Sequence, residues 1–246
     1  MISKQQQKYV QSLHNKKYRN EYGKFLVEGE KGILEIVNSD FEIENIFCSE
    51  NFAQKIGQKA LINKIITCKA SEIESISTFK SNNTGVAVVY QKKNSSLEEI
   101  PEEDLVLILD DIKDPGNLGT IIRLADWYGI RNIYCSPDTV EFYNPKVIAA
   151  TMGSFARTNV FYLDLPLFVS NLKMPVLGAF LGGENVHKLT IQKPFALIIG
   201  SESHGIGSAL KQLVTKKITI PRIGMAESLN AGIATGIILD NIFREV

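Results

Sequence analysis

The chain has 246 residues, of which 44% are hydrophobic and 22% charged, and its formal net charge at pH 7 is zero. These proportions are typical of a globular protein with one large or two small domains. No run of 18 apolar residues occurs, and the start lacks the apolar centre of a signal peptide, so we expect a cytoplasmic protein without a membrane span. The spacing of Cys48, Cys68 and Cys135 fits neither a disulfide framework nor a zinc site, and reduced thiols without a metal are expected.

The N-terminal part alternates segments typical of strands and of helices. Strands are predicted at residues 25–28, 43–49, 64–67 and 85–91, with helical spacing between them. Residues 1–24 contain six basic side chains and one acid, Glu21, a local net charge of +5. Such a segment suits a phosphate backbone, although it is also compatible with a solvated helix face. The candidate phosphate contacts are Lys16, Lys17 and Arg19.

A polar, charged stretch containing Pro101 divides the chain. We predict a first domain at residues 1–95, a linker at 96–104 and a second domain at 105–246. The second domain opens with the apolar run LVLIL, which is typical of a buried parallel strand. Further strands are predicted at residues 132–135, 159–163, 175–180, 195–200 and 216–220. Strands that alternate with helices predict an α/β fold with a mostly parallel sheet.

Three polar, glycine-rich segments in the second domain each begin where an apolar run stops. In open α/β sheets, ligands bind beyond the carboxyl ends of the strands, so these segments are the predicted site. The first contains Asn117, Gly119 and Arg123, and the second contains Gly200, Glu202 and Gly205. The third contains Ile220, Pro221, Gly224, Ser228, Leu229 and Asn230.

In this order and spacing, the three segments resemble the motifs of the SpoU family of RNA 2′-O-ribose methyltransferases, over roughly residues 104–246. Arg222, Ala231 and Gly232 depart from the residues that are common there. Residues 9–37 look like the small α/β substrate-binding module that precedes the catalytic domain in many members. The resemblance implies structured RNA as the substrate, S-adenosylmethionine as the cofactor, a homodimer and a trefoil knot in the C-terminal domain. The strand pattern alone predicts an unknotted sheet.

Arg123 is the residue on which the resemblance and the chemistry agree most closely. A guanidinium stays protonated, so we expect Arg123 to bind the target phosphate and stabilise the developing oxyanion, while the phosphate or a water accepts the proton. We predict a helix that begins at Leu118, is capped by Asn117 and holds Arg123 rigidly. The alternative is a structural ion pair between Arg123 and Asp126 or Glu202.

The resemblance assigns catalytic or substrate-positioning roles to four further residues. Asn117 can orient Arg123 or the ribose, and Glu202 can fix Arg123 or a loop amide, with a purely structural anchor as the alternative. Ser228 and Asn230 lie at the start of the last helix, where Ser228 could instead be a simple N-cap. The implied cofactor contacts are Gly200, Ile220, Leu229 and Asn230. We expect His204 to be an ordinary loop residue.

Two other classes of protein compete with the methyltransferase. The loop DPGNLG lacks the Gly-x-Gly-x-x-Gly pattern of a dinucleotide-binding dehydrogenase. A non-catalytic RNA-binding relative stays open, as does the choice between ribosomal RNA, which we favour, and transfer RNA. For the homodimer, Gly232 and Gly236 offer a closely packing helix surface, unless they pack within one subunit.

Overall fold

The computed structural model describes residues 2–57, 59–92 and 104–244, and the chain divides into two compact units. The first unit contains Met1–Lys93 together with Glu141–Ala156, and the second contains Asn94–Val140 and Arg157–Val246. Apart from Asp104, the predicted linker lies outside the described residues. None of the helices in the described ranges is long and apolar enough to cross a membrane.

The first unit is a four-stranded mixed sheet with helices. Its strands are β1 (Lys24–Glu28), β2 (Ile43–Cys48), β3 (Ile65–Thr67) and β4 (Gly85–Tyr90), in the order β1-β4-β2-β3. Strand β4 runs antiparallel to β1 and β2, whereas β3 is parallel to β2. Its helices are α1 (Lys4–Ser12), α2 (Lys16–Tyr22), α3 (Glu30–Val37), α4 (Glu50–Ile56) and α5 (Ala70–Ile76), with α7 (Pro145–Ala150) from the later segment.

Local signals set the ends of the first two helices. A capping box formed by Ser3 and Gln6 starts α1, and the side chain of Asn15 accepts a hydrogen bond from Lys17 N to start α2. Helix α2 ends at Gly23, whose φ of 61° is the left-handed conformation that glycine adopts without strain. The chain then enters β1 directly, so the last turn of α2 is fixed against the sheet.

An aromatic cluster packs residues 141–156 into the first unit. The ring of Phe25 on β1 lies 4.4 Å from Tyr143 and 6.1 Å from Phe155, measured between centroids. Phe41 closes the cluster at 5.7 Å from Phe25. Buried aromatic pairs of this kind contribute about 0.5–1.5 kcal/mol each beyond their area burial. Nothing in the spacing of the sequence indicated that this segment belongs to the first unit.

The second unit is a six-stranded sheet in which every neighbouring pair is parallel, so the predicted α/β fold is confirmed. Its strand order is β10-β8-β9-β5-β6-β7. The strands are β5 (Leu105–Leu109), β6 (Asn132–Cys135), β7 (Asn159–Tyr162), β8 (Val176–Asn185), β9 (Phe195–Ile199) and β10 (Lys216–Thr219). The helices are α6 (Pro115–Trp127), α8 (Leu165–Ser170), α9 (Ser208–Lys211) and α10 (Ala231–Phe243). The trefoil knot stays a prediction.

One predicted helix start was wrong, and one alternative helix cap does not form. Helix α6 begins at Pro115 and is capped by Asp114, which accepts a hydrogen bond from Asn117 N at 2.8 Å. Proline suits the first helical position because it has no N–H to satisfy, and Asp is a strong N-cap. Helix α10 is capped by Asn230, which accepts from the backbone N–H groups of Gly232 and Ile233, so Ser228 is not its N-cap.

Candidate active site

The three motif loops follow strands β5, β9 and β10, which all run in the same direction. Their carboxyl ends therefore lie at one edge of the sheet, where ligands bind in open α/β folds. The first loop passes from β5 into α6, the second occupies residues 200–207, and the third occupies residues 220–230 before α10. All ten residues from 221 to 230 are exposed.

A hydrogen-bond network of three side chains joins these loops. Asn117 Nδ2 donates to Glu202 Oε1 at 2.9 Å, and Asn230 Nδ2 donates to Asn117 Oδ1 at 2.6 Å. Glu202 Oε1 also accepts from Ala231 N at 2.9 Å. Hydrogen bonds to a charged acceptor each contribute about 1.5–3 kcal/mol, less where water competes. The network thus uses one residue from each motif, and Glu202 binds Asn117 and the first amide of α10 rather than Arg123.

The second loop depends on two glycines. A Cβ on Gly200 would lie 2.3 Å from the carbonyl carbon of Gly205 and 2.4 Å from Ile206 N, so no larger residue fits there. Gly205 has a φ of 66°, and its backbone exchanges two hydrogen bonds with Ser201. Asp110 Oδ2 accepts from Gly207 N at 2.7 Å, which ties this loop to the end of β5. The result is a narrow, fixed loop with its backbone accessible.

A cavity of about 760 Å³ lies between the second and third loops. Its size is that of small-molecule sites, which run from about 300 to 1,000 Å³. Three of the predicted cofactor contacts, Gly200, Ile220 and Leu229, line this cavity, whereas Asn230 does not. Ile199 and Ile238 add apolar wall that can pack on a flat adenine ring. Backbone groups of the narrow second loop supply hydrogen-bonding partners, so the residues fit S-adenosylmethionine.

Sequence reasoning missed one wall of this cavity. Residues 179–182 of β8 line it, together with Lys211 and Lys217. Strand β8 was predicted to end at residue 180, and only the sheet order shows that it lies beside β10. The spacing of residues along the chain does not indicate which strands are neighbours in the sheet.

A second cavity of about 310 Å³ adjoins the first. Asn117 lines only the smaller cavity, whereas Glu202 and His204 line both. His204 is exposed, and its backbone N–H donates to Ser201 Oγ. Two cavities that share a wall provide space for a methyl donor and, next to it, for part of an acceptor.

Arg123 is exposed, and no hydrogen bond or ion pair joins its side chain to any residue that the structure describes. It also lines neither cavity. The prediction that α6 holds Arg123 rigidly therefore has no support from a side-chain bond to the described residues. Six positions along a helix place Arg123 about 9 Å beyond Asn117 and about 120° around the axis. Asp126, the alternative partner of Arg123, pairs with Arg157 at 2.9 Å.

The structure contradicts the prediction that Arg19 contacts RNA. Only 2% of Arg19 is exposed, and its guanidinium makes two hydrogen bonds to Glu141, at 2.7 and 3.1 Å. It also donates to the carbonyl oxygens of Leu13 and His14. A count of charges could not reveal this, because Glu141 lies 122 positions away in the chain. Lys16 and Lys17 are exposed.

The two glycines of α10 face α6 within the same subunit. A Cβ on Gly232 would lie 3.0 Å from Thr120 Cγ2, and one on Gly236 would lie 3.4 Å from Leu124 Cδ1. The alternative of packing within one subunit is therefore correct for this pair. The same two helices expose other apolar side chains: Trp127 is 81% exposed and Ile233 is 56% exposed.

Known proteins match both parts of the chain. The model of the SpoU rRNA methylase family matches residues 104–240, and that of the MRM3-like substrate-binding domain matches residues 4–87. A Bacillus subtilis protein, 23S rRNA (guanosine(2553)-2′-O)-methyltransferase RlmP, is 30% identical over 92% of this chain and 91% of its own length. The tRNA (guanosine(18)-2′-O)-methyltransferase of Aquifex aeolicus is 30% identical over 64% of this chain and 79% of its own.

Solved structures agree with these matches. A putative RNA methyltransferase of the TrmH family from Porphyromonas gingivalis superposes with a TM-score of 0.88 and 30% identity over the full length of both chains. An AdoMet-bound rRNA methyltransferase from Sinorhizobium meliloti gives a TM-score of 0.88 at 25% identity, over all of this chain and 97% of its own. With its three motifs joined at one edge of the sheet, the chain belongs to the SpoU rRNA methylase family.

Proposed function

We propose that this protein transfers a methyl group from S-adenosylmethionine to a ribose 2′-hydroxyl of structured RNA, with ribosomal RNA as the substrate. The observation that carries the proposal is the network of Asn117, Glu202 and Asn230, which joins the three motif loops beside the large cavity. Family membership of the catalytic part supports the same reaction.

The cofactor is assigned to the 760 Å³ cavity. Bound S-adenosylmethionine supplies a methyl group already activated on its sulfonium. Gly200 allows the tight fold of the second loop, whose residues line the cavity, since any side chain at position 200 would collide with Gly205 and Ile206. Ile220 and Leu229 provide apolar contact, and Asn230 acts on the site through Asn117 and the start of α10.

The acceptor side needs a positioned 2′ oxygen and a positive group near the charge that develops on it. We assign Asn117 and Ser228 to positioning the ribose, and Glu202 to holding Asn117 and the start of α10. Arg123 binds the phosphate of the target nucleotide and stabilises the oxyanion. The proton of the 2′-hydroxyl passes to a phosphate oxygen or to water, because Arg123 itself cannot accept it.

Arg123 lies outside both cavities of its own subunit. We therefore propose a homodimer in which Arg123 completes the site of the second copy. The exposed apolar side chains of Trp127 and Ile233 on α6 and α10 support this surface as the subunit interface. The glycine pair of α10 does not support the dimer, because it packs against α6 of the same subunit.

The preference for ribosomal RNA rests on the extent of the matches. The relative named as a 23S rRNA enzyme matches 92% of this chain, including the N-terminal unit, whereas the relative named as a tRNA enzyme matches 64%. We assign residues 1–95 to RNA docking, with Lys16 and Lys17 on phosphates, and residues 105–246 to catalysis apart from the segment 141–156, which belongs to the first unit. We propose a cytoplasmic location, where such a substrate is present.

Methyl transfer to RNA tests the proposal directly. Purified protein is incubated with S-adenosylmethionine labelled on its methyl group and with ribosomal or transfer RNA from cells that lack the protein. Ribose-methylation mapping then locates the product. We expect one methylated nucleotide in ribosomal RNA. A protein that binds RNA but neither binds the cofactor nor transfers a methyl group would instead be a non-catalytic relative.

A further inference from the structure

Three tyrosines of the first unit form a contiguous aromatic surface on its two N-terminal helices. The rings of Tyr18 and Tyr22 are stacked, with centroids 6.1 Å apart and planes 20° from parallel. Tyr9 on α1 meets Tyr22 edge to face at 5.7 Å. Tyr22 is 42% exposed, and Tyr18 is half-buried. We call Tyr18 and Tyr22 the tyrosine pair.

Tyr9 and its hydrogen-bond partners fix the position of the tyrosine pair. Tyr9 donates from its hydroxyl to Glu44 Oε2 at 2.7 Å and accepts from Lys24 Nζ at 3.0 Å. Burial raises the pKa of Tyr9 to about 12, so this hydroxyl stays protonated at working pH. Lys24 also pairs with Glu44 at 2.7 Å. Tyr9 is thereby fixed, and its edge fixes the ring of Tyr22.

Helix α2 is itself anchored. A helix of seven residues is not stable alone in water. Arg19, on the inner side of α2, bonds to Leu13 O, His14 O and Glu141. Because residues four apart lie on one face of a helix, the tyrosine pair projects together from this anchored element. Rings that are ordered before binding lose little conformational entropy when a ligand stacks on them.

The charges around the pair select the kind of ligand. Lys8, Lys16 and Lys17 are exposed on the same two helices, and Lys17 Nζ lies 5.6 Å from the centre of the Tyr18 ring. Glu21 is the one acid in either helix. Stacked aromatic rings with a lysine beside them and further lysines on the same helices match a base and its neighbouring phosphates, since every base has a flat face and every nucleotide carries a negative charge. An acidic ligand without rings would pair with the lysines but not stack on the tyrosines, and an apolar ligand would pack on the tyrosines but leave the lysines without a partner.

We infer that the tyrosine pair is a stacking site for an unpaired nucleobase of the RNA, a site separate from the methyl-transfer centre. The inference rests on the proposed RNA substrate and adds to it how the first unit tells unpaired nucleotides from duplex. Phosphates beside the stacked base bind Lys16 and Lys17. A base in a continuous duplex has both faces covered by its neighbours and cannot use the site.

Substitution of Tyr22 tests the inference in the full-length protein. The probes are a single-stranded RNA 12-mer of mixed sequence and the blunt duplex of that strand with its complement. Loss of base–aromatic stacking costs about 1–3 kcal/mol, so we expect Tyr22→Leu to weaken single-strand binding by roughly five- to 150-fold. The matched variant Tyr22→Phe keeps the ring and stays within about twofold of the unchanged protein. Duplex binding should be the same for all three.

Salt dependence separates stacking from charge. Tyr22→Leu should lower single-strand affinity without changing the slope of log affinity against log salt, because no phosphate contact is lost. Tyr18→Leu should behave likewise, and it serves if Tyr22→Leu does not fold. An unchanged single-strand affinity in these leucine variants, or an equal loss for duplex, would overturn the inference.

Photo-crosslinking gives a second measurement that needs no substitution. The 12-mer carrying 5-iodouridine is irradiated with the protein, and crosslinked peptides are identified by mass spectrometry. We expect attachment at Tyr18 or Tyr22. Crosslinks confined to other residues would contradict the site. Cofactor binding and methyl transfer are measured on the same preparations. Methyl transfer by the unchanged protein tests the proposed function, whereas single-strand binding by the Tyr22 variants tests the stacking site, so the two can fail independently.

Discussion

Asn117 donates a hydrogen bond to Glu202 at 2.9 Å, although 85 positions separate them in the chain. The bond joins the helix after β5 to the loop after β9, two strands that are neighbours in the sheet. Glu202 then accepts from Ala231 N, where α10 begins. One carboxylate oxygen thus fixes the relative positions of the three motif loops.

Removal of the Glu202 carboxylate should loosen these loops. Glu202→Ala leaves Asn117 and Ala231 N without their acceptor, and we expect the free energy of unfolding to fall by about 1–2 kcal/mol, since water can replace part of the loss. Cofactor affinity should fall with it. Glu202→Gln keeps an oxygen that can accept both bonds and should retain most of both properties. Urea unfolding and calorimetric titration with S-adenosylmethionine measure them.

Glu227 offers a matched control. It is an exposed carboxylate on the third loop and lines the same cavity. Glu227→Ala removes an equal charge without touching the network, so stability should change by less than about 0.5 kcal/mol. Equal effects of the two alanine variants would mean that charge, not the network, holds the loops.

Arg123→Ala should abolish methyl transfer and leave cofactor affinity within a few fold. Loss of a single oxyanion donor costs about 10²- to 10³-fold in rate, and loss of the phosphate contact adds to it. Stability should hardly change, because Arg123 is exposed and no described residue bonds to its side chain. Arg123→Lys keeps the charge without the forked geometry, and its rate of methyl transfer should lie between those of the unchanged protein and Arg123→Ala. A matching loss of cofactor affinity would contradict the assigned role.

Mixing two variants that we expect to be inactive alone tests whether Arg123 acts across a dimer, since Asn230 bonds to Asn117 and caps α10. Arg123→Ala and Asn230→Ala are denatured together and refolded. If each site takes Arg123 from the other subunit, the mixed dimer contains one complete site and regains activity. If both residues act within one subunit, each site in the mixture lacks one of them and activity stays absent. An active preparation that sediments only as monomer would remove the dimer altogether.

The sequence predicted that the three motif loops share one site, because the ends of parallel strands share one edge of a sheet whatever the distance along the chain. It did not predict that Asn117, Glu202 and Asn230 bond to one another. The start of α6 could also have been read from it, since Asp114 and Pro115 are strong start signals. The direction of Arg123, about 120° around the axis of α6 from Asn117, follows from the period of an α-helix alone. The burial of Arg19 could not be predicted, because its partner Glu141 is distant in sequence and no periodicity relates them.

The ion pair of Arg19 and Glu141 should matter to stability. Side-chain exposures of 3% and 14% leave little water to replace a lost partner. Arg19→Met strands the Glu141 carboxylate, and breaking a buried pair in this way costs about 3–5 kcal/mol. The double variant Arg19→Met with Glu141→Leu removes the stranded charge and should recover part of that loss. A double variant no more stable than Arg19→Met would argue against charge burial as the cause.

The same pair affects truncation. A fragment of residues 104–246 lacks Arg19 and Phe25, which hold Glu141 and Tyr143 in the first unit. We expect the fragment to bind S-adenosylmethionine but to be cut by proteases within residues 141–156. The full-length protein should resist cleavage there. A fragment with the same resistance would show that this segment needs no support from the first domain.

High pH should destabilise the first unit. Burial raises the pKa of Tyr143 to about 12, and that of Tyr9 is raised to about 12 as well, against an ordinary value of 10.0. The folded state holds these protons more tightly than the unfolded state, so their contribution is complete below pH 10 and is lost as the pH rises through 12. Tyr143→Phe should therefore lose stability less steeply between pH 10 and 12. Urea midpoints at each pH measure this, with exposed Tyr22→Phe as the control.

Binding of RNA should weaken with salt through Lys16 and Lys17. Each phosphate contact contributes about 0.7–0.9 to the slope of log affinity against log salt, so Lys16→Ala with Lys17→Ala should flatten that slope by roughly one to two. Arg19 is left unchanged because it is buried and paired. Affinity for S-adenosylmethionine should stay the same.

The control pair for this experiment is Lys173→Ala with Lys188→Ala, two exposed lysines of the second unit. It removes the same charge from the protein, and its slope should match that of the unchanged protein. If the Lys16 and Lys17 variant also leaves the slope unchanged, neither lysine contacts a phosphate. The phosphates would then be held near the third motif, where Lys217 and Arg222 line the large cavity. Substitution of those two residues would flatten the slope instead.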